Sequence, residues 1–278
     1  MVKSQSRHTY LRLDGPMALS AQQFQAAKKW LFDHFDANAP SPEIMEAFPD
    51  LSVDDAFRLQ FALIDRQILQ GETIIGMKAA LTAKSMQAFF QVSEPSPGYL
   101  TSDLLATGGE MAIGQWVMTI VEPEIAFILC HKLEGPGVTT MDVLHATEGV
   151  MAAIEIGHLR YGMEKRSLQQ FLAYNTLSGA IALGHRMVAL RDLDLRMEGM
   201  VMEVDGQPVG SGTGVEAMGD PVAVVAWLAN TMARIERCLE PGMVIITGSI
   251  IQGAIVQPGQ HVRAEFTHLG AVEMEFKE

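Results

Sequence analysis

The stretch VEPEIAFIL, residues 121–129, sets two carboxylates, Glu122 and Glu124, in a run that is otherwise apolar and rich in strand formers. In a β-strand, residues two apart share a face, so Glu122 and Glu124 stand side by side, followed on that face by Ala126 and Ile128. The opposite face carries Val121, Pro123, Ile125, Phe127 and Leu129. A strand apolar on both faces is normally buried. Desolvating two adjacent carboxylates is costly unless a cation compensates. An arginine pair or a divalent metal would serve, and no arginine lies nearby in sequence. The plain alternative is a solvated edge strand that exposes both glutamates, and composition alone weighs the two readings evenly.

The rest of the chain narrows the choice. With 278 residues, 48% hydrophobic and 19% charged, it reads as globular and able to bury a full core. A formal net charge of −13 argues against nucleic acid and anionic membranes as partners, since either calls for clustered Lys and Arg; a small anionic substrate needs only a local cation. No apolar run reaches the ~18 residues that span a bilayer. The opening MVKSQSRHTY has no apolar core of the secretory kind, so the cytoplasm is the expected compartment. The two cysteines, Cys130 and Cys238, sit in apolar settings without ligand spacing and read as buried free thiols. The eighteen methionines read mostly as adaptable core filler.

The periodicity predicts an α+β chain in two portions. Residues 1–73 are a small N-terminal helical portion. One helix is capped at Ser20 (SAQQFQAAKKWLFDHF), another at Ser52 (SVDDAFRLQFALIDRQILQG) with Gly71 as its stop, and NAPSPE (38–43) links them. From residue 74 to 278, short apolar runs separated by Gly, Pro and Asp predict a β-rich domain, with a hairpin turning at Asp205-Gly206. Two helices are expected to interrupt the strands. One follows Thr140 (MDVLHATEGVMAAIEI), and one starts at Asp220-Pro221 with cap and first-turn proline in place.

The helix expected after Thr140 ends near Glu155, a residue that by itself reads as a surface glutamate. Three oxygen donors without His or Cys would suit a hard cation, Mg²⁺ or Mn²⁺, that keeps positions open for water and substrate.

VEPEIAFIL, followed about thirty residues later by AAIEI and preceded by GMK (76–78) and GYLTSDLL (98–105), resembles the 2-hydroxyalka-2,4-dienoate hydratase and 2-oxo-3-enedioate decarboxylase family, within the fumarylacetoacetate hydrolase superfamily. The likeness extends over WLANTM, ITGSI and PGQHVRAEF...LGAVEMEF, roughly residues 50–278. It implies a β-rich, roll- or barrel-like domain of the fumarylacetoacetate hydrolase type. It also implies that Glu122, Glu124 and Glu155 hold Mg²⁺ or Mn²⁺, and that Lys78 and Asp103 serve in proton transfer. Arg160, Tyr174, Asn175 and Ser249 become candidate substrate-binding positions. An ordinary exposed lysine and a loop aspartate are the plain readings of Lys78 and Asp103. Two departures bear on substrate: Ala173-Tyr174-Asn175 replaces the family's usual Ala-Asp-Asn, and the stretch after Glu155, IGHLRYG, lacks a commonly found acidic residue while keeping Arg160.

The activity this implies is hydration of a 2-hydroxy-alkadienoate to a 4-hydroxy-2-oxo acid, as in meta-cleavage catabolism of aromatic compounds. Decarboxylation of a 2-oxo-3-enedioate is the alternative. Hydrolysis of a carbon–carbon bond in an acylpyruvate would need a catalytic His-Glu type pair that the N-terminal part does not offer. A non-catalytic scaffold in complex with a neighbouring pathway enzyme is the reading from a different class. The resemblance further implies a homo-oligomer. A second substrate carboxylate would need a cation, for which Arg160, Arg166 and Lys84 are the candidates.

Overall fold

The computed structural model describes residues 18–37, 39–106, 109–162 and 167–278. Its elements run α1 (Ala21–Phe35), α2 (Ile44–Ala47), α3 (Val53–Leu69), β1 (Ile74–Ala80), α4 (Lys84–Phe90), β2 (Ser96–Thr101), β3 (Glu110–Ala112), β4 (Thr119–Leu129), α5 (Thr140–Ala146) and β5 (Thr147–His158). They continue with α6 (Leu168–Ala173), β6 (Ser178–Leu183), β7 (Gly199–Val204), β8 (Gln207–Thr213), α7 (Pro221–Ala233), β9 (Val244–Ile246), β10 (Ala254–Val256), β11 (His261–Phe266) and β12 (Gly270–Lys277).

Local signals place most boundaries. Ser20 and Gln23 form a reciprocal capping box on α1, and the Ser52 hydroxyl accepts from the Asp55 N–H at the start of α3. Asp220 caps α7 ahead of Pro221. Asp205 and Gly206 both take positive φ, as a two-residue hairpin turn requires. Two helices beyond those expected, α4 and α6, lie between strands. Cys130 and Cys238 are free but half-buried rather than buried. Of the N-terminal helical portion, residues 1–17 lie outside the described residues.

One expectation is overturned. The helix after Thr140 stops at Ala146, and Thr147–His158 is a strand. That strand pairs antiparallel along the whole of β4, from Leu129↔Thr147 to Thr119↔His158. The helical preference of Ala, Met and Glu over other ordinary residues is at most about 0.7 kcal/mol each. Burying Val150, Ile154 and Ile156 completely between sheets stabilises by roughly 1.5–3 kcal/mol per side chain, so tertiary burial wins.

A large curled sheet runs in the order β2-β1-β9-β4-β5-β6, with β10 beside β4, and a second sheet runs β3-β12-β11-β7-β8. β11 and β12 pack on β5, and β12 also on β6. The main core lies on the face of the large sheet that carries Val121, Ile125, Phe127 and Ile154. A second core holds the N-terminal helices together with Ala173 and Tyr174 of the α6 end.

The edge of β4 away from β5 is shared by two short strands, β9 beside residues 126–128 and β10 beside residues 119–121. Between them the chain leaves the sheet, and Ile250 N–H donates to the Pro123 carbonyl across the break (3.1 Å). A strand residue directs its N–H and C=O to the same side, so the N–H that Pro123 lacks falls on that break. This is how a proline is accommodated in a central strand, and on that edge it leaves Glu122 and Glu124 beside a loop while β5 pairs with them on the other.

Gln170, fully buried on α6, secures the helical layer by accepting from Ile44 N–H (2.8 Å) and donating to the Pro42 carbonyl (2.9 Å). Gln170→Leu is expected to strand both backbone groups, costing about 1–3 kcal/mol for each. Thermal unfolding should show this as a Tm several degrees lower, and an unchanged Tm would mean the tether carries no weight.

Candidate metal centre and active site

Glu122 and Glu155 are direct cross-strand partners in the β4–β5 ladder, and Glu124 follows two residues along the same face. One carboxylate oxygen from each lies within 4.8 Å of the other two. Glu124 and Glu155 are buried and Glu122 is half-buried. The floor beside them is apolar, made of Leu100, Ala126, Ala153, Ile181 and Ile246. Burial and the neighbouring Glu155 charge push the Glu122 carboxyl up to about 7 and raise Glu124 well above the usual range, while Lys78 pulls both the other way. The set offers only oxygen donors around a common point, and this fits a hard divalent ion.

Lys78, on β1, is itself buried at 3% exposure, and its ammonium contacts Glu155 and donates to the Thr176 carbonyl at 3.2 Å. Its stem runs over Gly98, the opposite residue on β2, where a Cβ would sit 2.8 Å from the lysine Cγ and 2.5 Å from Thr176 Oγ1. Gly248 approaches from the loop after β9, and its N–H donates to Glu124 (2.7 Å). With φ of +91° and a Cβ position 2.0 Å from Thr82 Oγ1, only glycine fits there.

The Thr176 carbonyl is held by an unusual turn. Asn175, Thr176 and Leu177 all take positive φ, 52°, 53° and 64°. Asn175 makes this possible by acting as a surrogate strand: its side chain accepts from Tyr99 N–H (2.9 Å) and donates to the Tyr99 carbonyl (2.8 Å) on the free edge of β2. Gln60 of α3 completes the bracket by donating to Asn175 and to the Pro97 carbonyl.

The pattern of the fumarylacetoacetate (FAA) hydrolase C-terminal family matches residues 78–277, from the active-site lysine candidate to the last strand. The chain belongs to the fumarylacetoacetate hydrolase family. It is 31% identical over 260 residues to a 2-keto-4-pentenoate hydratase of Paraburkholderia xenovorans (strain LB400), covering 93% of this chain and 97% of the relative. It is 40% identical over 185 residues to a 2-hydroxypent-2,4-dienoate hydratase of Pseudomonas putida, covering 66% of this chain and 83% of that one. The structure of the 4-oxalocrotonate decarboxylase from Pseudomonas putida G7, complexed with magnesium and adipate, superimposes with a TM-score of 0.89 at 29% identity. That likeness covers 94% of this chain and 100% of the other.

Within this fumarylacetoacetate hydrolase fold, the site residues expected from the sequence divide into two groups. Lys78, Glu122, Glu124 and Glu155 converge, with Asn175 one residue from the carbonyl that holds Lys78. Asp103 lies exposed on a short 3₁₀ turn (Ser102–Leu104), and among the described residues it has no hydrogen bond or ion pair with Lys78 or the glutamates. That turn is tethered to β6, where Ala106 N–H donates to the carbonyl of Ile181, the residue that faces Glu155 in the ladder.

Other candidates are engaged elsewhere. Arg160 donates to the Phe35 carbonyl (2.7 Å) and lies 3.8 Å over the Phe35 ring; burial lowers its guanidinium to about 10. Tyr174 is buried in the helical core, its hydroxyl 2.6 Å from Ser41 Oγ and its phenol raised to about 12 by burial. The Ser249 hydroxyl donates to the Ile251 carbonyl, and Lys84 donates to Gln87. Arg166 lies outside the described residues. Sequence reasoning missed Gln60, Gly98, Thr176 and Gly248, which act through backbone geometry or across long separations. Only the glycines left a trace in the sequence.

A carboxyl raised in the folded state binds more protons folded than unfolded, so its contribution is present below about 4.5 and lost as pH rises through about 7. Protein held in chelator should therefore lose stability over that window, and Glu122→Gln should flatten the decline. Urea unfolding at a series of pH values reads this; equal slopes in both proteins would remove Glu122 as its source.

Proposed function

We propose that this protein is a divalent-metal-dependent hydratase that converts a 2-hydroxy-alkadienoate, by way of its 2-oxo-enoate tautomer, to a 4-hydroxy-2-oxo acid. The observation that carries the reading is the set of three converging glutamates, two of them buried, facing one lysine, in a chain similar over nearly its whole length to a named hydratase. Glu122, Glu124 and Glu155 would hold Mg²⁺ or Mn²⁺, and the ion, when bound, supplies stabilisation of negative charge on the C2 oxygen of the substrate.

The chain's own groups supply the rest. The substrate loses the proton of its 2-hydroxyl and gains one at its terminal diene carbon; water then adds OH to C4 and H to C3. Lys78 Nζ is the proton carrier, because it is the cationic group fixed beside the glutamates, and the Thr176 carbonyl keeps it aimed. Asp103, on the tethered exposed turn, is the candidate to exchange those protons with solvent. Leu100, Ile181 and Ile246 keep the diene end dry. Asn175 acts on Lys78 through the backbone, and Tyr174 and Arg160 shape the helical layer.

The decarboxylase alternative draws on the likeness to the Pseudomonas putida G7 enzyme. Against it, a 2-oxo-3-enedioate brings a second carboxylate, and the two candidate cations among the described residues are turned elsewhere, Arg160 to Phe35 and Lys84 to Gln87. No helix of the structure is long and apolar enough to cross a membrane. A cytoplasmic homo-oligomer, with an optional complex to a neighbouring pathway enzyme, is the setting proposed from the resemblance.

Incubation with Mg²⁺ and 2-hydroxypenta-2,4-dienoate should yield a product heavier by one water, and EDTA should abolish it. Loss of CO₂ from a 2-hydroxy-dienedioate in its place would move the assignment to the decarboxylase, and no turnover of either would favour the scaffold. Separately, Glu124→Gln should weaken Mg²⁺ binding, measured by calorimetry, by about tenfold or more. Lys78→Ala should lower kcat by about 10²–10⁴-fold while Mg²⁺ still binds; unchanged turnover would rule out Lys78 as the proton carrier.

A further inference from the structure

At the start of β2 a cavity of about 310 Å³ opens between α3, α6 and α7, and it shares no lining residue with the glutamate cluster. Its size is at the lower end of the range typical of small-ligand sites, ~300–1,000 Å³. Phe57, Leu168, Leu172 and Trp227 form apolar walls. Three hydroxyl residues also line it: Ser93 is exposed, while Ser96 and Thr231 are buried, at 6% and 7% exposure. Neither the Ser96 nor the Thr231 side chain has a hydrogen-bond partner among the described residues, and neither hydroxyl oxygen is closed off from solvent. Both hydroxyls are thus unpaired by protein groups yet reachable from the cavity, free to hydrogen-bond a polar occupant in place of water.

The charges at the rim refine its identity. Arg234, the C-cap of α7, follows Thr231 by three residues, and Trp227 precedes Thr231 by four, so the three form one stripe along the cavity. Arg234 is exposed and forms no ion pair among the described residues, and Glu94 stands on the same rim. An anion meeting Arg234 enters a cavity that also offers the Ser96 and Thr231 hydroxyls, while Glu94 disfavours a second negative charge. We propose that this cavity binds a small amphipathic monocarboxylate. Its carboxylate is taken by Arg234 and the Ser96 and Thr231 hydroxyls, and its ring or short alkyl chain packs on Phe57, Leu168, Leu172 and Trp227.

The place is pertinent to the site described above. Phe57 lies one turn before Gln60, Leu172 three residues before Asn175, and Pro97 beside Gly98. An occupant therefore touches all three segments that hold Lys78, without touching the glutamates.

The test is calorimetric titration of the full-length, Mg²⁺-loaded protein with benzoate and hexanoate, and with adipate as the dicarboxylate control. Saturable binding of the monocarboxylates and weaker binding of adipate are expected. Arg234→Gln should weaken the monocarboxylates about tenfold, the loss of one charge-assisted contact. Thr231→Val, which keeps the shape and removes the hydroxyl, should weaken them severalfold, and Glu124→Gln should leave their binding intact. Absence of saturable binding overturns the proposal, as does binding indifferent to Arg234 and Thr231. Binding lost in Glu124→Gln but kept in Arg234→Gln would place the carboxylate at the glutamate cluster and overturn it equally. Turnover is not the readout, so failure here leaves the hydratase reading standing.

Discussion

Three carboxylates within 4.8 Å of one another on a dry sheet face are the constraint to which the rest of the molecule answers. At such separations like charges repel by roughly 3–4 kcal/mol per pair at an effective dielectric near 20, before desolvation is counted. One lysine can balance one of the three, and Gly248 N–H eases Glu124. What is left must be met by protons, hence the raised carboxyls, or by a divalent cation. The sheet is built to hold the charges together despite this. β4 and β5 share their longest ladder at this point, so separating Glu122 from Glu155 would require undoing twelve residues of β5.

The same pressure explains why the lysine needs so elaborate a mount. A flexible ammonium beside three glutamates would be drawn wholly into them, and could not then serve the proton transfer proposed for it. The Thr176 carbonyl supplies a second anchor, apart from the glutamates. Holding that carbonyl in place takes three successive left-handed residues, one of them β-branched, at a cost on the order of 1–3 kcal/mol each. Asn175 offsets the strain by satisfying the otherwise bare edge of β2, and Gln60 ties both to α3. The N-terminal helices thus do more than cover the sheet: through Gln60 and Asn175 they steady the carbonyl that holds Lys78.

Much of this was legible in the sequence, and the boundary of what was legible has a physical cause. The Glu122–Glu124 pair could be read from period-two alternation alone, and the caps at Ser20, Ser52 and Asp220 from local chemistry. Glu155 was found through family resemblance but placed on the wrong element, because TEGVMAAIEI has the composition of a helix and only the full-length pairing with β4 makes it a strand. The left-handed turn at 175–177 had no signature, since Thr and Leu do not ordinarily adopt it. Arg160 and Tyr174 were identifiable as unusual positions, but their direction was not: each is turned into the helical core by partners, Phe35 and Ser41, more than a hundred residues away.

That direction bears on what separates the two chemistries the family's members carry. Hydration and decarboxylation can share one enolate and one set of metal-binding carboxylates, so the glutamate cluster cannot distinguish them. The distinction lies at the far end of the substrate, where a dienedioate presents a charge that a simple dienoate does not. A buried pocket accepts such a charge only if a cation is aimed at it. Here the Arg160 guanidinium is stacked on Phe35 and bonded to its carbonyl, and a phenol occupies the place where the family usually has a carboxylate beside Asn175. With Tyr174 filling that volume and engaging Ser41, Arg160 has its stacking partner on α1. Among the described residues, Arg160 is thereby held by α1, and on the proposed reading that leaves the far end of the substrate better suited to a monocarboxylate.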